Sequence, residues 1–203
     1  QFNCWKIVCC WHRLYIQGVL GMYLISAYFY ENTNKILKHL QQRIADKTGN
    51  DFMIRNNVMP HLTISAIEAR NVDVLIPAFE KVCRGKLQSL EEKSVANNTI
   101  NIVSVGQLFP RVIYAAPVLN EYMMNLSISI YNEFATIPET NISKFYQPYS
   151  WMPHITLGKC LDKEQMRQAF AVLQDLFMPI DGQITKIGLS TVNPYREVMS
   201  VAL

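Results

Sequence analysis

Histidine and threonine occur twice in one six-residue setting. Met59-Pro60-His61-Leu62-Thr63-Ile64 returns as Met152-Pro153-His154-Ile155-Thr156-Leu157, with the two histidines 93 residues apart. Side chains alternate between the faces of a strand, so His61 and Thr63 share one face while Leu62 and Ile64 share the other. His154 and Thr156 repeat that arrangement over Ile155 and Leu157. Each copy therefore presents an imidazole and a hydroxyl together, backed by an apolar face that can be buried. Two imidazoles across one cleft suit phosphoryl transfer. With an ordinary pKa of about 6.5, one ring can be neutral and the other protonated near pH 7. The neutral ring takes a proton from the attacking hydroxyl or water and the imidazolium gives one to the leaving oxygen, each transfer typically contributing ~10²–10⁴ in rate. The hydroxyls of Thr63 and Thr156, with nearby backbone N–H groups, can bind the non-bridging oxygens where charge accumulates. The near symmetry leaves open which histidine is acid and which is base.

A single H-x-T strand would carry little weight, because a histidine there is more often a hydrogen-bonded surface or core residue. Repetition changes the balance. Both copies have Met-Pro before the histidine, an aliphatic residue on each side of the threonine, and an amphipathic helix downstream. Proline brings no N–H, so each strand is expected to begin at a sheet edge or bend where a groove can open. Arg111, just after Phe109-Pro110, is a candidate phosphate or substrate contact. Tyr149 and Trp151, with Tyr146, cluster before the second motif, where exposed aromatics could stack on bases or cover the core. His39 belongs on the polar side of a helix, and His12 receives no role. No H-E-x-x-H, acidic pair or Cys/His ligand set is present, so no metal and no cofactor is expected.

The elements that must position these residues follow from composition and periodicity. The chain has 203 residues, half of them hydrophobic, enough for one substantial domain or two small fused lobes. Its net charge of +3 suits an anionic ligand but falls short of a surface that binds duplex DNA. Five cysteines without C-x-x-C or zinc spacing point to reduced thiols in a cytoplasmic setting. Residues 1–20 form an ill-defined leader. The uncharged run 14–30 touches the lower length of a membrane span, but Gln17, Gly18, Gly21 and its β-rich second half favour a buried strand over an anchor.

A strand is expected at 22–30, then a helix at 33–48 with Ile36, Leu37, Leu40 and Ile44 inward and Gly49 at its end. After the first motif strand at 61–68 comes a helix at 73–84, burying Leu75, Ile76, Phe79, Val82 and Cys83 and stopped by Gly85. Strands follow at 86–93, 98–105 and 111–116, and Pro117 opens a helix to Phe134. The second motif strand at 154–161 leads to a helix capped by Asp162 and Gln165, striped by Met166, Ala169, Phe170, Leu173, Leu176 and Phe177. Strands at 182–191 and 196–202 finish a duplicated α+β arrangement.

At these residues the chain resembles the 2H phosphoesterase superfamily, whose signature is a pair of H-x-[ST]-x motifs about half a domain apart. Within it, the bacterial RNA 2′,3′-cyclic phosphodiesterases, also called 2′-5′ RNA ligases, look nearest. The resemblance rests on His61-Leu62-Thr63-Ile64, His154-Ile155-Thr156-Leu157, the opening strand, the Gly106-Gln107-Leu108-Phe109-Pro110 turn and the closing Ile187-Gly188-Leu189 strand. It implies an α+β bilobal fold over residues 21–203, with two antiparallel sheets flanking a central groove and helices packed outside. It also implies a metal-independent phosphodiesterase, acting on a 2′,3′-cyclic phosphate or 2′-5′ linkage of RNA or a nucleotide. His61 and His154 would be its acid–base pair and Thr63 and Thr156 its phosphate ligands. A monomer without membrane attachment is expected. The competing functions are a nucleotide- or RNA-binding module without turnover, and a 2′-5′ RNA ligase using the same residues in reverse.

Overall fold

The computed structural model describes residues 20–92, 98–192 and 195–203, with the backbone alone for 86–92 and 109. The expected leader, including His12 and most of the uncharged run before Leu20, lies outside the described residues. Strand β1 spans Gly21–Phe29, β2 Leu62–Ala69, β3 Thr99–Leu108, β4 Val112–Pro117, β5 Asn141–Ile142, β6 Ile155–Lys159, β7 Ile180–Val192 and β8 Tyr195–Ala202. Helix α1 spans Glu31–Thr48, α2 Phe52–Arg55, α3 Ile76–Glu92, α4 Glu121–Phe134 and α5 Lys163–Leu176.

Local chemistry accounts for most boundaries. Gly49 ends α1 in the left-handed region at φ 67°, and its N–H bonds the Ala45 carbonyl. Asp162 and Gln165 form the expected capping box at α5. Helix α4 starts later than Pro117, which instead ends β4. Its N-cap is Asn120, whose side chain accepts from the Met123 N–H at 2.9 Å. Gly85 does not stop α3, which continues to Glu92 and replaces the strand expected at 86–93. Lys86, Leu87, Gln88, Leu90 and Glu91 are all strong helix formers, and together they outweigh one glycine, which costs only about 1 kcal/mol inside a helix. Two expected inward residues lie outside: Ile36 and Leu176 are 37% and 40% exposed.

Among the described residues all strand pairings are antiparallel and run in a closed circuit: β1 beside β2, then β6, β4, β3, β7 and back to β1. β8 adds to the outside of β7 and β5 to β2. The circuit has two halves, β1–β2 with the later part of β7, and β3–β4–β6. They meet at a single β2–β6 pair, Leu62 with Ile155, and where the start of β7 pairs with β3. The α+β fold of antiparallel strands with packed helices is as expected, but the two sheets expected are halves of one continuous eight-stranded sheet. Helices α1 and α5 pack together over β6 and β4, while α3 and α4 pack together with α4 against β2.

The helices that follow β1 and β4 therefore each cross to the other half. Burial drives this docking. Leu37, Leu40 and Ile44 of α1 and Met166, Ala169 and Leu173 of α5 join one continuous core with Leu62, Ile113 and Ile155. A fully buried aliphatic side chain of this kind contributes roughly 1.5–3 kcal/mol. Cys83 is a buried free thiol, pushed by burial up to about 11. Cys160 is disulfide-bonded, so the reduced state expected of every cysteine does not hold there. Among the described residues no helix is long and apolar enough to cross a membrane.

Candidate functional site

The two histidines stand immediately before the motif strands and make the same contact. His61 Nδ1 lies 2.7 Å from the Met59 carbonyl oxygen, and His154 Nδ1 lies 2.9 Å from that of Met152. A carbonyl only accepts, so Nδ1 is the donor in both rings. That leaves the lone pair on Nε2, the atom able to take up or release a proton. The Met-Pro pair ahead of each histidine thus supplies the tautomer-fixing acceptor. In keeping with the missing proline N–H, β2 and β6 both begin after it.

A second repeated feature lies just beyond the threonines. In the β1–β2 ladder Ser26 pairs with Thr63 and Ile25 with Ser65, which leaves Ile64 unpaired. In the β4–β6 ladder Tyr114 pairs with Thr156 and Ile113 with Gly158, which leaves Leu157 unpaired. Each motif therefore carries a β-bulge at its fourth residue, which bends the strand and re-aims the side chains beyond it. At each bulge the threonine carbonyl takes a side-chain donor from another element. Trp151 Nε1 donates to Thr63 at 3.0 Å, and Gln41 Nε2 of α1 donates to Thr156 at 3.2 Å.

The Leu62–Ile155 pair sets the two motifs side by side and antiparallel. Counted outward from it, His61 falls opposite Thr156 and Thr63 opposite His154. Leu62 and Ile155 are fully buried beneath, while both histidines and Thr156 remain half-buried and Thr63 is 8% exposed. Burial lowers the pKa of both imidazoles and the Nδ1 hydrogen bonds partly oppose it. His61 is lowered further by the charges of His154 and Lys159. The Lys159 charge thus acts on His61 and makes the pair electrostatically unequal.

Lys159 was not singled out from the sequence. Simple alternation puts it on the face opposite His154, but the bulge at Leu157 reverses the parity and turns Lys159 to the histidine side. The corresponding position after His61 is Ala66, so only one motif carries a cation. Two tyrosines were missed as well. Tyr28 stands 6.2 Å from His61 and Tyr114 5.8 Å from His154, between ring centroids.

The other expected contacts fall elsewhere. Trp151 is 6% exposed with its N–H committed to Thr63, so it ties the two motifs together and offers no face to a base. Arg111 donates from Nε and Nη2 to the carbonyls of Leu161 and Cys160, buttressing the turn into α5. It lines a hollow with Lys163, Arg167 and Phe170 that neither histidine borders. Tyr149 is 84% exposed at a left-handed corner, beside a hollow lined by Tyr131 and Asn132. His39 is exposed on α1, as expected. Among the described residues no group of three His, Cys, Asp or Glu side chains could hold a metal ion.

The fold these elements build is that of LigT from E. coli. The structure of LigT complexed with phosphate aligns over 92% of this chain and 99% of that chain, with a TM-score of 0.54 and 13% identity. The apo form aligns over the same shares with a TM-score of 0.53 and 12% identity. The complex with 3′-AMP does so with a TM-score of 0.51 and 11% identity. At such identities the likeness is one of fold. No family model matches the chain. No curated protein matches it in sequence.

Proposed function

We propose that this chain is a 2H phosphoesterase, a metal-independent hydrolase of 2′,3′-cyclic phosphates or 2′-5′ phosphodiesters in RNA or nucleotides, working as one bilobal unit over residues 21–203. The observation that carries the reading is the antiparallel meeting of two H-x-T strands whose histidines both have Nδ1 bound to a carbonyl and Nε2 left for proton transfer. LigT, which has the same fold, has been solved with phosphate and with 3′-AMP, ligands of the class this site would take.

His61, held neutral by burial and by the charges of His154 and Lys159, is the general base. Its Nε2 removes a proton from water as the water oxygen bonds to phosphorus. His154 is the general acid, and its Nε2 delivers a proton to the ribose oxygen as the P–O bond breaks. Thr63, Thr156 and the Lys159 ammonium balance the charge that builds on the non-bridging oxygens.

The test is hydrolysis of 2′,3′-cyclic AMP in EDTA. Wild type is expected to turn over, with each single His→Ala variant slowed by roughly 10²–10⁴. Unchanged turnover in the His61→Ala/His154→Ala double variant would sink the reading. Tight nucleotide binding without product would favour a binding module, and joining of RNA ends a ligase.

A further inference from the structure

Each histidine has a tyrosine beside it, and each tyrosine lies across a glycine. Tyr28 of β1 is 6.2 Å from the His61 ring with the planes at 45°. Tyr114 of β4 is 5.8 Å from the His154 ring in an edge-on arrangement at 66°. A Cβ placed on Gly188 of β7 would fall 2.9 Å from Tyr28 Cε2, and one on Gly106 of β3 would fall 2.6 Å from Tyr114 Cζ. Neither glycine has a positive φ. What these positions require is therefore the missing side chain, whose space the phenol ring fills. The two arrangements come from different strands in the two halves, and the sequence repeat does not contain them.

We propose that Tyr28 and Tyr114 are positioning residues for His61 and His154, each lying over the gap left by a glycine of the next strand, Gly188 or Gly106, and walling its imidazole on the other side. The inference rests on the reading that both histidines transfer protons. A single Nδ1–H bond to a carbonyl fixes the tautomer but lets the ring swing about that bond. An aromatic wall about 6 Å away restricts the swing, and offset or edge-on contact is the favoured geometry for such ring pairs. The Tyr28 wall is itself fixed. Its hydroxyl bonds Tyr195 at 2.7 Å, and Lys186 Nζ sits 4.5 Å from its ring centroid while pairing with Glu197 at 2.9 Å.

Ring position is read from the protein alone, by NMR titration of the histidine Cε1–H signals, and from kcat and KM with 2′,3′-cyclic AMP. The charged and titratable groups facing His61 are His154, Lys159 and Tyr28, with Lys186 behind Tyr28, and those facing His154 are Tyr114 and His61. In Tyr114→Leu the His154 midpoint rises as the ring is uncovered. Its kcat falls roughly tenfold with KM little changed, because what is lost is alignment. Tyr114→Phe keeps the wild-type midpoint and kcat, since the wall is the ring and not the hydroxyl. Tyr28→Leu does at His61 what Tyr114→Leu does at His154. The proposal is overturned if Tyr114→Leu leaves the His154 titration where it was, or if Phe fails to replace Tyr. If wild type hydrolyses nothing, the enzymatic reading fails, while the titrations still decide the positioning role.

Discussion

Lys159 makes unequal two imidazoles that their sequence settings make look alike. A cation near His61 disfavours a second positive charge, so it lowers the His61 pKa and widens the range over which that ring is an available base. Removing the charge in Lys159→Gln is expected to raise the His61 pKa and carry the acid limb of the kcat/KM profile to higher pH. A pH-rate profile of the variant checks it, and an unmoved acid limb would separate Lys159 from His61. A stability effect comes from the same two rings. Burial holds both folded pKa values below the ordinary value of 6.5, so as pH falls the unfolded chain takes up protons first. Their contribution is complete above about 6.5 and is lost as pH falls from there through the folded values. Urea midpoints measured at about pH 7.5 and pH 5.5 should therefore differ more in wild type than in His61→Gln/His154→Gln.

Among the elements, the two bulges matter most. Each sends a threonine carbonyl out of register with its ladder, and each carbonyl is caught by a donor from a distant segment, Trp151 for Thr63 and Gln41 for Thr156. Trp151→Phe keeps a large ring in the core but removes the indole N–H. It should cost about 1 kcal/mol in urea unfolding, the worth of a typical hydrogen bond, and more if the carbonyl is left dry. It should also lower kcat, since Trp151 lies on the approach to His154 and holds the first motif strand.

The same elements mark how far the sequence was legible. Period-two alternation located the motif strands and their buried faces, because Leu62, Ile64, Ile155 and Leu157 lie inside. Caps located the start of α5 and the end of α1. Alternation alone would place Lys159 on the wrong face, because one extra residue in a strand reverses every side chain beyond it. The tyrosines were hidden for a different reason: each meets its histidine across a strand pairing, and nothing local in the chain encodes that neighbour. Trp151 was left open between base stacking and core cover, because loop position and aromatic character alone cannot tell a base-stacking ring from one turned into the core.

At the scale of the whole molecule, the closed strand circuit makes the site a property of both halves at once. One residue pair, Leu62 with Ile155, joins the motif strands directly, and both side chains are fully buried in a core running through the two halves. The second junction, where β7 passes from β3 to β1, lies elsewhere on the circuit and can hold the halves together without aligning the motifs. Leu62→Ala therefore separates two consequences. As a large-to-small change at a fully buried site it should destabilise by about 2–5 kcal/mol in urea unfolding. If the core is one cooperative unit, hydrogen exchange should show β1 and β4 losing protection by the same increment, although Leu62 belongs to neither. A loss confined to β1 and β2 would mean that the halves open independently. In that case turnover should fall further than stability predicts, because the two imidazoles would no longer be held in a single frame.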